Sequence, residues 1–153
     1  MVDPMLEAAR TILDESFDDM REAIAGAASG SLDRRPAGDD TNSIAVLAVH
    51  SMNSTRWWLS LALTATTPER DRPSEFLATA DSTDELLRFF DGMAADCRAL
   101  LDADAPFDPG AARTDKDGDV VTAAWALLHA VEHFREHVGH IQLTRQVVDS
   151  SDA

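Results

Sequence analysis

Four of the chain's five histidines lie within residues 129–140, which read HAVEHFREHVGH. In an α-helix, which turns by about 100° per residue, His129, His133, His137 and His140 fall within an arc of about 80°. Histidines four residues apart have rings about 6 Å apart along the helix axis, so two ring nitrogens can bind one metal ion. The spacing therefore points to metal chemistry.

The fifth histidine, His50, lies on a second helical pattern. His50, Ser54, Trp57 and Leu61 follow steps of four, three and four residues, which place them on one helix face. Two helices are therefore expected to present histidine to a common interior. Three imidazoles around one ion leave positions open for water or substrate, which is typical of catalytic rather than structural metal sites.

A buried histidine cluster without metal, either structural or pH-sensing, is the alternative interpretation. Each neutral imidazole brings one hydrogen-bond donor and one acceptor, and several of them are hard to satisfy together in an apolar interior. Protonation below about pH 6.5 would also make the rings repel one another. We therefore favour a metal site.

The same segment contains the H-x-x-E-H spacing of inverzincin proteases twice, starting at His129 and at His133. Any helix with histidines four residues apart and frequent glutamate produces this spacing. Glu132 and Glu136 fall at the edge of the histidine arc, and the chain is short for a protease lobe beside a metal-binding helix. We do not expect a protease.

The apolar residues of this last helix are predicted to share the histidine arc. Five of them fall on or around it: Trp125, Ala130, Ile141, Leu143 and Val147. Polar side chains such as Arg135 and Gln142 fall on the opposite side. We therefore expect all four histidines of this helix to point into the interior.

Apolar residues at helical spacing predict four amphipathic helices, over residues 3–27, 42–64, 82–102 and 121–148. Asp3 is the predicted N-cap of the first helix, with Pro4 at its first position, and Ser82 or Thr83 opens the third. Segments rich in glycine, proline or aspartate separate the helices, and no β-alternation of useful length occurs. We predict one all-α domain over residues 1–153, a four-helix bundle with antiparallel neighbours.

Composition narrows the possible function classes. The formal net charge is −15 and Lys116 is the one lysine, so the chain lacks the clustered cations that nucleic-acid phosphates require. No apolar run reaches the length of a membrane span, and the N-terminal segment does not resemble a signal peptide. A single cysteine, Cys97, precludes an internal disulfide and suits a reducing compartment. We expect a cytoplasmic protein with no nucleic-acid or membrane partner.

Two segments together resemble the DinB-like superfamily: SIAVLAVHSMNSTRWWL and, further along the chain, ALLHAVEHFREHVGHIQLTRQ. Members of that superfamily are metal-binding four-helix bundles related to the YfiT-type and mycothiol-dependent enzymes. One family histidine precedes an aromatic pair on the second helix, and an H-x-x-x-H pair lies on the last. The resemblance implies His50, His133 and His137 as metal ligands. It leaves His129 and His140 as candidates for the surrounding pocket, with His140 where the family commonly has glutamine.

The activity implied by the resemblance is metal-dependent transfer of a low-molecular-weight thiol, of mycothiol or bacillithiol type, to a small-molecule substrate. The expected ion is Zn²⁺ or Ni²⁺, with iron and manganese as alternatives. His129, Glu136 and His140 are the candidates for residues that surround the ion or move a proton. A metal-dependent hydrolase and a non-catalytic, metal-stabilised binding module are the alternative functions, and a homodimer is compatible with such a bundle.

Other side chains are assigned structural roles. The three tryptophans are expected in the core or in a pocket wall: Trp57, Trp58 and Trp125. Cys97 lies on the apolar stripe of the third helix and is expected to be buried, with metal ligation as the lesser alternative. Arg56 and Arg145 are expected at the exposed surface, with binding of a carboxylate substrate as the alternative.

Overall fold

The computed structural model describes residues 3–151, and helices account for most of them. In chain order the helices are Pro4–Ala25 (α1), Ile44–Thr64 (α2), the four-residue Arg72–Glu75 (α3), Thr83–Asp102 (α4) and Ala123–Ser151 (α5). Two 3-10 turns, Ser29–Ser31 and Gly38–Asp40, precede α2. The predicted all-α fold is confirmed, and the ends of the four predicted helices agree with the structure to within three residues.

Side-chain caps fix where the helices begin. The carboxylate of Asp3 accepts hydrogen bonds from two backbone N–H groups in the first turn of α1, at 2.9 and 3.3 Å. Ser43 and Ser82 each accept one from the N–H group three residues further on, at 3.1 Å, at the starts of α2 and α4. These oxygens satisfy donors that a helix start otherwise leaves unpaired, which is why the chain turns helical at these residues.

Helix α2 is the buried centre of the bundle, and most of its side chains are inaccessible to solvent. It packs mainly against α5 and α4, and α1 also packs against α5 and α4. The rings of Phe17, Phe90 and Phe134 join α1, α4 and α5 edge-to-face in the core, with Phe17 6.4 Å from Phe90 and 5.0 Å from Phe134 between centroids. Because α2 and α5 lie side by side, their histidines can meet.

A short antiparallel hairpin departs from the expectation of helices alone. Strands Ala112–Thr114 (β1) and Val120–Thr122 (β2) pair immediately before α5. In the turn between them the carboxylate of Asp115 accepts from the backbone N–H groups two and four residues on, and Gly118 has a φ of +88°. Strands of three residues are too short to show an alternating pattern, so the sequence carries no strand signal there.

The hairpin also caps the C-terminal end of α2. The guanidinium of Arg113 donates hydrogen bonds to the carbonyl oxygens of Leu61 and Ala62 in the last turn of α2, at 2.8 to 3.3 Å. The Leu61 carbonyl also accepts from the backbone N–H of Ala65, at 3.2 Å. Within residues 3–151, no helix carries the apolar length that a membrane span needs.

Candidate metal centre

Helices α2 and α5 bring three histidines to one place. His50 comes from α2, and His133 and His137 lie one turn apart on α5; one ring nitrogen from each falls within 4.8 Å of the others. The Nε2 atoms of His133 and His137 are 3.2 Å apart, and the His50 ring centroid is 5.3 and 5.1 Å from theirs. The predicted meeting of histidines from two helices is therefore present in the structure.

Burial keeps the two α5 histidines of this group neutral. Loss of solvent, reinforced by the charges of neighbouring imidazoles, lowers the pKa of His133 to about 3. Loss of solvent and the nearby His50 and His140 lower the pKa of His137 to about 4. Each ring therefore has an unprotonated nitrogen at neutral pH, and this is the form of histidine that binds metal.

The donor set suits a divalent transition metal. Three imidazole nitrogens match the ligand preferences of Zn²⁺, Ni²⁺ and Fe²⁺, and a three-residue set leaves coordination positions open. Cys97 is not part of this group; it is fully buried on α4, where loss of solvent raises the pKa of its thiol to about 12. The three-histidine group can thus hold a metal ion and still admit another ligand.

A buried carboxylate beside the group was missed by the sequence analysis. Glu75, at the end of α3, is 4% exposed, and its Oε2 accepts a hydrogen bond from Nδ1 of His50 at 2.8 Å. Arg70 donates to both carboxylate oxygens, from Nε to Oε1 at 2.7 Å and from Nη2 to Oε2 at 2.8 Å. Burial alone would raise the pKa of Glu75, but the bonds to Arg70 and His50 outweigh it and hold that pKa below its usual value.

Hydrogen bonds and a ring contact hold the segment that carries Glu75 in place. Asp71 caps α3 by accepting from the N–H of Ser74, and the ring of Phe76 lies 4.7 Å from that of His50 between centroids. Arg35 donates to the Phe76 carbonyl at 2.8 Å. An N-cap aspartate followed by a proline was a visible sign of a helix start here. The contact of Glu75 with a histidine 25 residues earlier has no local signal.

The other two histidines flank the group. His129 stacks on Trp125, with ring centroids 4.9 Å apart and planes 9° apart, and meets the edge of Trp58 at 4.6 Å. On the other side, Nδ1 of His140 lies 3.4 Å from Nδ1 of His137. Glu136 is exposed and approaches His140 alone, at 4.0 Å. These three candidates therefore surround the group without joining it.

The prediction that all four α5 histidines point into the interior is wrong. The side chain of His140 is half exposed, and three apolar residues assigned to the same arc are exposed as well: Trp125 (47%), Leu143 (60%) and Val147 (42%). The buried side chains of α5 centre on Phe134 and Val138, about 100–140° around the helix from the middle of the histidine arc. The histidines thus line the margin of the buried face, where one side can admit a ligand.

The remaining assignments hold in part. Trp57 and Trp58 are buried on α2 and pack edge-to-face at 4.9 Å, as predicted, whereas Trp125 forms an exposed wall beside His129. Cys97 is buried as expected. Arg56 and Arg145 lie near the surface and pair with Asp96 and Asp149, at 3.5 and 3.4 Å.

Comparison with known proteins agrees with this architecture. A crystal structure of a conserved protein from Enterococcus faecalis superposes with a TM-score of 0.73 and 17% sequence identity, over 94% of this chain and 96% of that one, which shows a shared fold. No functionally curated protein matches the chain. The family model described as mycothiol-S-transferase matches residues 8–150, nearly the whole chain. The chain belongs to the mycothiol-S-transferase family, and the DinB-like resemblance is confirmed.

Proposed function

We propose that this protein is a metal-dependent S-transferase that joins a low-molecular-weight thiol, mycothiol by family membership, to an electrophilic small molecule. The observation that carries the proposal is the convergence of three imidazoles from α2 and α5 in a chain of this family. A purely structural cluster is expected to be fully buried, whereas His133 and His137 are only partly buried.

His50, His133 and His137 are the proposed metal ligands. A divalent ion held by neutral ligands keeps its full positive charge, and when bound it would lower the pKa of a thiol in an open position and so supply a thiolate at neutral pH. Zn²⁺ and Ni²⁺ remain the proposed ions. His129, Glu136 and His140 are proposed as the surroundings of the group.

The chain's own contribution is to place the reactants. Trp58, Trp125 and His129 form an aromatic wall beside His133, whose ring is 5.8 Å from that of His129 between centroids. Such a wall can hold the apolar part of an electrophile and exclude water from it. In the transfer the thiol loses its proton to solvent, its sulfur forms a bond to the electrophilic carbon, and the leaving group departs with the bonding pair.

The proposal is tested with cobalt-substituted protein and a transfer assay. Adding mycothiol to the Co²⁺ form should shift its visible spectrum, and the Zn²⁺ form should accelerate displacement of halide by the thiol in a fluorogenic alkyl halide. The His50→Ala variant should lose both effects. The Asp14→Asn variant, which breaks a surface pair between α1 and Arg98 of α4, is the matched control and should keep both.

Two results would overturn the proposal. A Co²⁺ spectrum that does not respond to thiol, with metal held tightly, would favour the non-catalytic binding module. Ester or amide hydrolysis that depends on metal, in the absence of thiol transfer, would favour the hydrolase.

A further inference from the structure

The Arg70–Glu75–His50 chain of hydrogen bonds links a largely buried arginine to the three-histidine group through one buried carboxylate. We propose that Glu75, held by Arg70, is a positioning residue that fixes His50 with its proton on Nδ1 and its lone pair on Nε2, directed at the group. The proposal rests on the proposed function in one respect, namely that the group holds a metal ion.

Both carboxylate oxygens of Glu75 accept hydrogen bonds. Arg70 reaches them with two nitrogens, at 2.7 and 2.8 Å, in the forked geometry that guanidinium and carboxylate share. The Nδ1 atom of His50 is 2.8 Å from Oε2. An ionised carboxylate only accepts hydrogen bonds, so Nδ1 must be the donor and must carry the proton. The lone pair of the neutral ring is then on Nε2.

The burial of this chain argues for a specific role. The side chains of His50, Glu75 and Arg70 are 7%, 4% and 11% exposed. Removing an ion pair from water costs several kcal/mol for each charge, and apolar residues of similar volume often serve stability as well or better. A carboxylate that accepts from the second ring nitrogen of a ligating histidine sets its tautomer and raises its basicity.

The three histidines differ in what supports them. Nδ1 of His133 is buried and has no hydrogen-bond partner among residues 3–151. Nδ1 of His137 faces only the half-exposed His140. Within that part of the chain, His50 is thus the one member of the group whose second nitrogen bonds to a carboxylate, so it is the member whose orientation is set before any ligand arrives.

The residues that hold Glu75 in place lie in loops outside the three-histidine group. Arg35 donates to the carbonyls of Thr41, just before α2, and Phe76, just after α3, at 2.7 and 2.8 Å. These bonds fasten the α3 segment to the start of the helix that carries His50. Glu75 is therefore held against His50 by contacts that do not involve the three-histidine group.

The first test reads the tautomer of His50 directly in metal-free protein. Two-dimensional ¹⁵N–¹H spectra of the imidazole rings should show a protonated Nδ1 and an unprotonated Nε2 for His50 in the native protein. In Glu75→Gln the amide can donate as well as accept, so this preference should weaken or invert. A native His50 protonated on Nε2, or an unchanged tautomer in Glu75→Gln, would overturn the inference.

The second test measures Zn²⁺ affinity by competition with a chromophoric chelator. Loss of a carboxylate behind a ligating histidine typically weakens metal binding by about 10–100-fold, and we expect this for Glu75→Gln. The matched control is Asp14→Asn, which breaks the surface pair with Arg98 far from the group and should leave the affinity unchanged. Equal affinity of Glu75→Gln and native protein would contradict the proposal.

A second variant covers the case in which Glu75→Gln does not fold. Arg70→Lys keeps the positive charge but loses the fork, and it should weaken both the tautomer preference and the Zn²⁺ affinity relative to native protein. An Arg70→Lys protein that equals native protein in both would contradict the proposal. A native protein that takes up no Zn²⁺ would defeat the proposed function, while the metal-free tautomer would still decide the role of Glu75.

Discussion

Burial has opposite effects on the charge-bearing forms of two kinds of side chain in this protein: it favours loss of a proton from two histidines and retention of the proton by one cysteine. At His133 and His137 it removes the proton and leaves nitrogen ligands available at neutral pH. At Cys97 it does the reverse, because a thiolate is the charged form, and loss of solvent together with the charge of Asp96 raises the pKa of the thiol to about 12. The thiolate of the proposed transfer is therefore expected from an external thiol and not from Cys97.

Cys97 should resist alkylation in the folded protein. At pH 8 its thiol is protonated and its side chain is inaccessible, so iodoacetamide should leave it unmodified over a time in which the unfolded chain reacts fully. Mass spectrometry of protein treated with and without guanidinium measures the difference. Modification of native protein as fast as of unfolded protein would show that α4 opens at this site.

At the scale of elements, the sequence predicts the four long helices because each has an apolar stripe or caps of its own. It also predicts that histidines of α2 and α5 meet. The prediction of which side of α5 is buried is wrong. The arc that contains the four histidines and Trp125 lies at the margin of the core and not at its centre. The sequence analysis misses Glu75 because the contact with His50 depends on how the loop after α2 folds back, and no local periodicity records that path.

The cap of α4 should affect stability without affecting the metal group. Ser82→Ala removes the hydrogen bond to the N–H of Glu85 and should lower the free energy of unfolding by about 1 kcal/mol. Helix α4 contributes no residue to the group, so Zn²⁺ affinity should not change. Urea denaturation and chelator competition measure the two quantities, and a large fall in affinity would contradict this separation of scaffold and site.

At the scale of the whole molecule, the aromatic core that joins the helices and the proposed metal site occupy different parts of the bundle. Phe17, Phe90 and Phe134 join three helices, while the histidines lie along the contact of α2 with α5. A fold shared with a structure at 17% identity does not determine function, so the functional conclusion depends on the histidine group and on family membership. The formal net charge of −15 keeps the expectation that nucleic acid is not a partner, because its phosphates attract clustered cations.

Metal content is the most direct measurement of the central claim. Elemental analysis of protein purified without a histidine tag should find about one divalent transition-metal ion per chain in native protein and in His140→Ala, and little in His137→Ala. The comparison isolates a ligand of the group from a neighbour that only contacts it. Native protein that contains no metal, and takes up neither added Zn²⁺ nor added Ni²⁺, would contradict the account and leave a buried histidine cluster in place of a metal centre.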